Sequence, residues 1–396
     1  MKPLVRFTSL IITAILLCSF VPQTAYSQDM ETTLQADSIE ISLLTCGPRQ
    51  QVYSLYGHTA IRFQDKQHDR DLAINYGVFS FDKPFFVLRF VFGLTDYEIG
   101  IVPFDIFRWE YESSGCGVRQ QVLNLSAQEK IAIAKAIDHN YEPQNRVYRY
   151  NFFYDNCTTR ARDILLDNVN GSIVYNNSSK AYPSYRELIH QYNENNRWAR
   201  FGNDLLLGVK ADLSTDFTEQ QFLPERLCND VEQAYIQNNY GTKRKLVSRS
   251  FWVLTPADKQ QPSTDWLTPR LILGAMAVLT LTVAAIERHR KRLLWAFDTF
   301  VMLATGLCGL ILFAMIFSQH PTVSLNLQIM LLNPLNIAML YGVTKAAKQN
   351  RIHWWTKAWS ALILLFLIGG FIQSYAEGIT FMALSLLIRN ISNIKK

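Results

Sequence analysis

The chain has 396 residues, a net charge of +6 at pH 7 and 49% hydrophobic residues. A polar, aromatic-rich section of roughly 230 residues precedes a strongly apolar one of about 130, which predicts two domains of different solvent preference. Because the net charge is modest and no basic patch is interleaved with aromatic residues, the composition argues against a nucleic-acid partner.

The first 27 residues have the pattern of a signal peptide. Lys2 and Arg6 precede an apolar run from Leu10 to Val21, and Ala25-Tyr26-Ser27 supplies small residues for cleavage. The sequence therefore predicts a signal peptide over 1–27 and an exported domain over 28–255, with an uncleaved anchor helix as the alternative.

Two short alternating runs predict a hairpin in the exported domain. Thr59–Phe63 and Leu72–Tyr76 read as strands joined by a charged turn. Such a hairpin brings His58 and Asn75 to the same end, where an Asn amide could orient the imidazole. Taken singly, a buried structural histidine and a turn asparagine are the better interpretations.

The stretch Phe79–Phe92 is dense in aromatic residues. A core position is the favoured interpretation for most of it, and a surface that touches lipid is the alternative.

The segment Tyr150–Asp163, YNFFYDNCTTRARD, places Cys157 at the start of a predicted helix. Unpaired backbone N–H groups and the helix dipole favour negative charge there, so the thiol pKa should fall. Cys157 is therefore a candidate nucleophile, and His58 is the candidate base that would take its proton. The structural alternative is a buried cysteine or half of a disulfide.

The other cysteines give no pattern of metal ligands. Cys46, Cys116 and Cys228 lie in the exported part and Cys308 lies in an apolar segment, without CxxC or zinc spacing. We therefore expect neither a metal nor a cofactor. A disulfide between Cys46 and Cys116 stays open.

After a linker over 256–268, the region 269–396 contains five apolar segments, which predict membrane helices. Their bounds are about 271–286, 293–317, 323–343, 359–373 and 379–388. With the exported domain outside, Lys and Arg concentrate in the two inner loops and the C-terminal tail, while the two outer loops have none. The positive-inside rule therefore predicts a cytoplasmic C-terminus and a periplasmic N-terminal domain at the bacterial inner membrane.

Three polar residues of this region are candidates for substrate contact. His320 lies in an outer loop on the predicted side of Cys157, and Asn333 and Asn336 flank a proline in the third segment. Polar groups at that depth often line a cavity. An ordinary loop histidine and a proline kink satisfied by amides are equally good interpretations.

An early His on a strand followed by a late Cys at a helix start resembles the circularly permuted branch of the NlpC/P60 papain-like thiol enzymes. GHTAIR, NYG, FYDNCTTR and the apolar tail together are similar to the Bacteroidota lipoprotein N-acyltransferase family called Lnb. The resemblance implies an α+β permuted papain-like domain followed by an all-α bundle of five transmembrane helices. It also implies Cys157 as nucleophile and His58 as base, whereas Asn75 as orienting residue is inferred from the hairpin alone.

The resemblance further implies acyl transfer from a membrane phospholipid, through a Cys157 thioester, to the α-amine of the N-terminal cysteine of a diacylated lipoprotein. Arg62 or Arg160 would meet the phosphate of the donor headgroup. Two other functions remain open: a cell-wall peptidase or amidase of the NlpC/P60 type, and a membrane receptor or assembly factor without enzymatic activity.

Overall fold

A computed structural model describes residues 38–49, 51–79, 84–177, 181–257 and 266–394. The predicted signal peptide and most of the predicted linker lie outside these residues. The strands are β1 (Ile39–Cys46), β2 (His58–Asp65), β3 (Arg70–Val78), β4 (Asp96–Pro103), β5 (Val118–Leu123), β6 (Val147–Arg149), β7 (Ser172–Val174), β8 (Tyr235–Gln237), β9 (Lys243–Lys245) and β10 (Val247–Leu254).

The helices of the N-terminal part are α1 (Phe86–Val91), α2 (Phe104–Ser113), α3 (Ala127–Tyr141), α4 (Cys157–Leu166), α5 (Tyr185–Asn193), α6 (Arg197–Leu206) and α7 (Pro224–Gln233). Those of the C-terminal region are α8 (Pro269–Arg290), α9 (Trp295–Met315), α10 (Leu335–Lys348), α11 (Trp354–Gly369) and α12 (Ile379–Ile394).

A seven-stranded sheet in the order β10-β5-β1-β2-β3-β4-β6 organises the N-terminal domain, and its pairs are antiparallel. Successive side chains of β2 point to opposite faces, so Ile61 packs into the core on one side and Ala60 into the core on the other. Helix α4 contributes Ala161 and Leu165 to the first core, and α2 contributes Phe104 to the second. The sheet therefore lies between two helical layers.

The predicted hairpin is confirmed. β2 and β3 pair with Ala60 opposite Asn75, which brings the end of β3 beside His58. The ladder from β3 to β4 is irregular between Asn75 and Val78. Irregularities of this kind bend a strand and redirect its side chains.

The C-terminal region is helical, with three helices long and apolar enough to cross a membrane: 269–290, 295–315 and a segment of 22 residues over 327–348. The other two, α11 and α12, are apolar but have only 16 residues each. The predicted third segment, 323–343, is not one continuous helix. A short 3-10 turn, Leu327–Met330, is followed by an irregular link through Asn333 and Pro334, because proline lacks the N–H that a helix interior needs.

Other bounds shift as well. The first helix runs to Arg290 and the last to Ile394, while α11 begins five residues before the predicted start. Lys and Arg at the ends of these helices lower the local hydropathy without ending the helix, so a hydropathy pattern truncates them.

The N-terminal domain rests on the loops at one end of the helices. In the loop after α9, the Thr322 carbonyl accepts a hydrogen bond from the Gly208 N–H, and the Leu325 carbonyl accepts one from the Val209 N–H. Both bonds are 2.8 Å long. The Gln373 side chain donates to Leu207 O at 3.0 Å. These bonds to backbone atoms fix the domain against the helical region.

All cysteines among the described residues are free thiols. The Cys46–Cys116 pairing that the sequence left open is therefore not formed. Burial raises the pKa of the Cys46, Cys116 and Cys228 thiols, which favours the neutral, unreactive form.

Candidate active site

Cys157 is the first residue of α4, and the residue before it holds the helix start in place. The Asn156 side-chain oxygen accepts the N–H groups of Thr158 at 2.8 Å and Thr159 at 3.0 Å. The Thr159 hydroxyl in turn accepts the Asn156 N–H at 2.9 Å, which completes a capping box. The amide of Cys157 is not used by this cap, so it is available to an anion beside the thiol.

The end of β3 passes directly under the thiol. A Cβ at Gly77 would lie 3.6 Å from the Cys157 Cβ and 3.9 Å from the Tyr148 hydroxyl. Gly77 also has a φ of +87°, a backbone conformation that other residues rarely adopt. Glycine therefore lets the strand turn beneath Cys157.

His58, Asn75 and Cys157 are brought together. The imidazole Nε2 and the Asn75 Oδ1 are 3.0 Å apart, and the His58 side chain also hydrogen-bonds to the Cys157 thiol. Since an amide oxygen can only accept, Nε2 carries the proton toward Asn75, which leaves Nδ1 as the ring nitrogen that can exchange a proton with the thiol. The Thr59 hydroxyl donates to the Thr158 hydroxyl at 3.1 Å, which joins β2 to α4 one residue beyond His58 and Cys157.

The surroundings make this thiol acidic. Burial alone would raise its pKa, but the charge and hydrogen bond of His58, the Thr59 N–H and the Thr158 hydroxyl lower the pKa of Cys157 from 9.0 to about 7. Burial opposes the protonated form of His58, yet Cys157 and Asn75 raise the imidazole pKa above its ordinary value. The two shifts together favour a thiolate–imidazolium pair near neutral pH.

Two tyrosines that the sequence did not single out line the site. The Tyr148 hydroxyl is buried beside the backbone of Gly77 and has no side-chain hydrogen-bond partner among the described residues. It faces the same space beside Gly77 as Cys157. Tyr150 packs against the same core as Cys157. Both precede the cysteine within its aromatic run, but nothing in that run distinguishes them from its other rings.

The two candidate arginines are already paired with carboxylates. Arg160 binds Asp155 through two bonds of 2.6 and 2.8 Å, and its guanidinium lies 3.6 Å from the centre of the Tyr148 ring. Arg62 binds Asp71 through bonds of 2.8 and 2.5 Å and stacks on an aromatic ring of α2. Arg160 thus adjoins the site through Tyr148, whereas Arg62 lies four residues beyond His58 on β2. Headgroup binding by either stays a prediction.

His320 is buried where the loop after α9 meets the N-terminal domain. Its ring centre lies 4.5 Å from that of Phe152, five residues before Cys157, and 6.0 Å from that of Phe90. Burial lowers the pKa of His320 to about 4, so its ring is neutral at pH 7. A role in substrate contact stays a prediction.

The two asparagines of the third segment lie among the helices. Asn336 donates to the Thr305 hydroxyl and accepts the Trp355 indole N–H, each at 2.8 Å, so it joins α9, α10 and α11. Asn333 accepts the N–H of Leu335 at 3.0 Å. These contacts involve a hydroxyl, an indole N–H and a backbone N–H, and substrate binding by either residue stays a prediction.

No group of three or more His, Cys, Asp or Glu side chains within the described ranges is arranged to hold a metal ion. The chemistry that Cys157 and His58 can supply is that of a nucleophilic thiol with an adjacent base.

Comparison with known families assigns both parts of the chain. Residues 26–191 match the Lnb N-terminal periplasmic domain, and residues 260–396 match the Lnb transmembrane domain. The first match contains His58, Asn75 and Cys157. No curated protein and no solved structure matches the chain. The domain that carries the thiol is thus periplasmic, and the helical region belongs to a membrane protein.

Proposed function

Since the chain belongs to the Lnb family, we propose that it is a lipoprotein N-acyltransferase with Cys157 as its nucleophile. The enzyme moves an acyl chain from a membrane phospholipid to the α-amine of the lipidated N-terminal cysteine of a diacylated lipoprotein. One observation carries the assignment of the site: Cys157 stands at a helix start, in hydrogen-bond contact with His58, and its pKa is lowered to about 7.

The first half-reaction forms an acyl-enzyme. His58 holds the proton of Cys157, and the thiolate attacks the ester carbonyl carbon of the phospholipid. The Cys157 amide and the Tyr148 hydroxyl are the donors available to the resulting oxyanion. As the C–O bond breaks, the imidazolium returns its proton to the leaving alkoxide, and a lysophospholipid departs from the Cys157 thioester.

The second half-reaction transfers the chain. The neutral α-amine of the lipoprotein attacks the thioester carbonyl, the C–N bond forms and the C–S bond breaks. The proton lost by the amine passes to His58, and the thiolate of Cys157 is regenerated. Asn75 acts as a positioning residue here, because its bond to Nε2 leaves Nδ1 to exchange a proton with the thiol.

The same proposal includes a permuted papain-like fold for the periplasmic domain. The supporting features are a base on strand β2, a nucleophile at the start of the later helix α4, and an amide on the neighbouring strand β3. These are the positions that a permuted thiol-protease arrangement requires.

We also propose that the chain spans the inner membrane five times, with its C-terminus in the cytoplasm. The proposed domain boundaries follow residues 27, 255 and 268. The outer loops after α9 and α11 both contact the periplasmic domain, through Thr322, Leu325 and Gln373. The loops and tail at the other end hold the Lys and Arg clusters.

The test is mass spectrometry of the N-terminal lipopeptide of one lipoprotein. Cells carry, as their sole candidate N-acyltransferase, the wild type, Cys157→Ser, His58→Ala or the control Cys116→Ser. The control makes the same chemical change at a thiol whose hydrogen bond to Pro48 O, 3.2 Å long, a hydroxyl can replace.

We expect N-acylated lipopeptide with the wild type and Cys116→Ser, and a free amine with the other two variants. N-acylation that persists in Cys157→Ser would refute the thioester mechanism. A free amine with the wild type would refute the transferase itself, and cleavage of cell-wall peptides by the purified chain would then point to the peptidase alternative.

A further inference from the structure

Four apolar side chains project from α1 and its flanks: Phe85, Leu88, Phe90 and Leu94, which we call the apolar face. Phe85 is 79% exposed and Leu88 is 55% exposed. Phe85 also has a φ of +56°, a strained conformation for a residue with a bulky side chain. A group of exposed large apolar residues marks an interaction site.

The apolar face adjoins the membrane-spanning helices. Gln319 N–H donates to Phe92 O at 3.0 Å. Phe92 directly follows α1, and Gln319 lies four residues after the end of α9. At that end of α9, Phe313 and Phe317 are exposed. Since Phe313 belongs to a helix that is apolar and long enough to span the membrane, and Phe317 follows the end of that helix by two residues, the apolar face continues a lipid-facing surface.

A row of aromatic rings leads from the apolar face to the thiol. It consists of Phe90, Phe86, Phe79, Tyr97 and Tyr150, and we call it the ring row. The ring centres are 6.4 Å apart between Phe90 and Phe86, 5.6 Å between Phe86 and Phe79, 4.8 Å between Phe79 and Tyr97, and 4.1 Å between Tyr97 and Tyr150. Tyr150 and Cys157 then pack against the same core. An apolar wall thus extends from the lipid-facing surface to the nucleophile.

The cationic side chain of α1 is paired, which suits a hydrocarbon chain better than a headgroup. Arg89, in the middle of α1, donates to Asp96 at 2.7 Å and to Leu94 O at 3.1 and 3.2 Å. The guanidinium of Arg89 is therefore already bound within the protein, and burial among the aromatic rings between Phe90 and Tyr150 favours methylene groups.

We propose that the apolar face inserts into the outer leaflet of the membrane and that the ring row guides an acyl chain of a membrane phospholipid to Cys157. The guidance to the thiol rests on the proposed function, whereas the contact with the leaflet does not. The alternative favoured by sequence, a core position, describes Phe79, which packs against the core, but not the exposed Phe85 and Leu88.

The first test measures lipid contact directly. A photoreactive phenylalanine analogue replaces Phe85 in the full chain in its native membrane, and illumination is followed by mass spectrometry. The control position is Tyr240, which is 94% exposed on the turn between β8 and β9. We expect phospholipid adducts at position 85 and none at position 240. Absence of adducts at position 85, or a protein adduct there instead, would overturn the proposal.

The second test separates guidance from chemistry. Acylation of Cys157 is measured by intact-protein mass spectrometry, with the full chain in lipid nanodiscs, for the wild type, Leu88→Asn, Phe85→Ser and the control Tyr240→Ser. The donor is either the phospholipid of the disc or a short-chain p-nitrophenyl ester in solution. We expect each variant of the apolar face to slow acylation by phospholipid about tenfold. This is the factor that corresponds to the free energy of moving one large apolar side chain from water into lipid.

Acylation by the soluble ester should be unchanged in all variants, because that donor does not use the leaflet. An equal loss with both donors would mean that the apolar face merely supports the site, and no loss with either would mean that the chain arrives elsewhere; both results overturn the guidance. If wild-type Cys157 reacts with the soluble ester but never with phospholipid, the proposed function fails, while adducts at position 85 would still establish the leaflet contact.

Discussion

The acidity of the Cys157 thiol depends on His58, and this dependence can be measured without knowing the substrate. With a pKa of about 7, roughly half of the thiol is ionised at pH 7. His58→Ala removes the charge and the hydrogen bond that outweigh burial, so the pKa should rise to 9 or above. At a pKa of 9, about one thiol in a hundred is ionised at pH 7.

The thiolate fraction at pH 7 therefore falls roughly fiftyfold in His58→Ala. A less acidic thiolate is intrinsically more nucleophilic, which offsets part of this loss, so alkylation at pH 7 should slow about fivefold to tenfold. The thiolate is the reactive form, so the alkylation rate increases as the pH passes the thiol pKa. For the wild type this increase is centred at about pH 7, and for His58→Ala it is centred at pH 9 or above.

The assay is alkylation by iodoacetamide between pH 5 and 10, followed by mass spectrometry of each cysteine-containing peptide. Cys46 and Cys228, whose pKa burial raises, serve as internal controls and should stay unmodified in the folded chain. His58→Gln is the control for structural damage, because it removes the imidazole but keeps a polar side chain of similar size. A wild-type midpoint near 9, or the same midpoint in wild type and His58→Ala, would refute the assigned pair.

Three further predictions follow from single contacts. Tyr148→Phe removes a buried hydroxyl beside the thiol and should lower kcat about a hundredfold with little change in KM; an equal effect on the alkylation of Cys157 would show that the site itself was damaged. Arg389→Leu removes the guanidinium that lies 2.7 Å from the buried carboxylate of Glu287 and should cost about 3–5 kcal/mol of stability, measured as a fall in the thermal midpoint in detergent, because the Leu294 N–H and the Asn393 amide donate to that carboxylate without neutralising its charge; an unchanged midpoint contradicts it. Gly208→Ala puts a Cβ 2.1 Å from Leu325 O and should loosen the domain from the outer loop; the variant should lose acylation by phospholipid but keep alkylation by iodoacetamide, and normal acylation would contradict this.

The features that sequence predicted are those encoded by neighbouring residues. The β2–β3 hairpin follows from alternation over a few positions, and the start of α4 follows from Asn156 and Thr159, which cap the helix three residues apart. Both features together bring His58 and Asn75 to one end of the hairpin and Cys157 to a helix terminus. These local patterns make the three residues candidates, and the resemblance to the Lnb family adds the expected roles of Cys157 as nucleophile and His58 as base.

The features that sequence missed depend on contacts between distant residues. His320 and Phe152 meet although 168 positions separate them, and no local pattern specifies that contact. Likewise, within one uninterrupted aromatic run, Phe79 packs against the core and stacks with Phe86, while Phe85 and Leu88 face outward. Composition is the same on both sides of such a helix, so only the tertiary structure separates the two.

The proposed acyl-enzyme must react with an amine rather than with water, and the wall beside the thiol bears on that choice. Thioesters are attacked by both, but water reaches Cys157 only where polar or open space adjoins it. Tyr97 and Tyr150, stacked 4.1 Å apart, pack against the same core as Cys157 and present apolar ring surface on that side of it. The surface that admits a hydrocarbon chain is thus also the surface that excludes water, so on this mechanism transfer rather than hydrolysis follows from the position of the thiol beside the membrane.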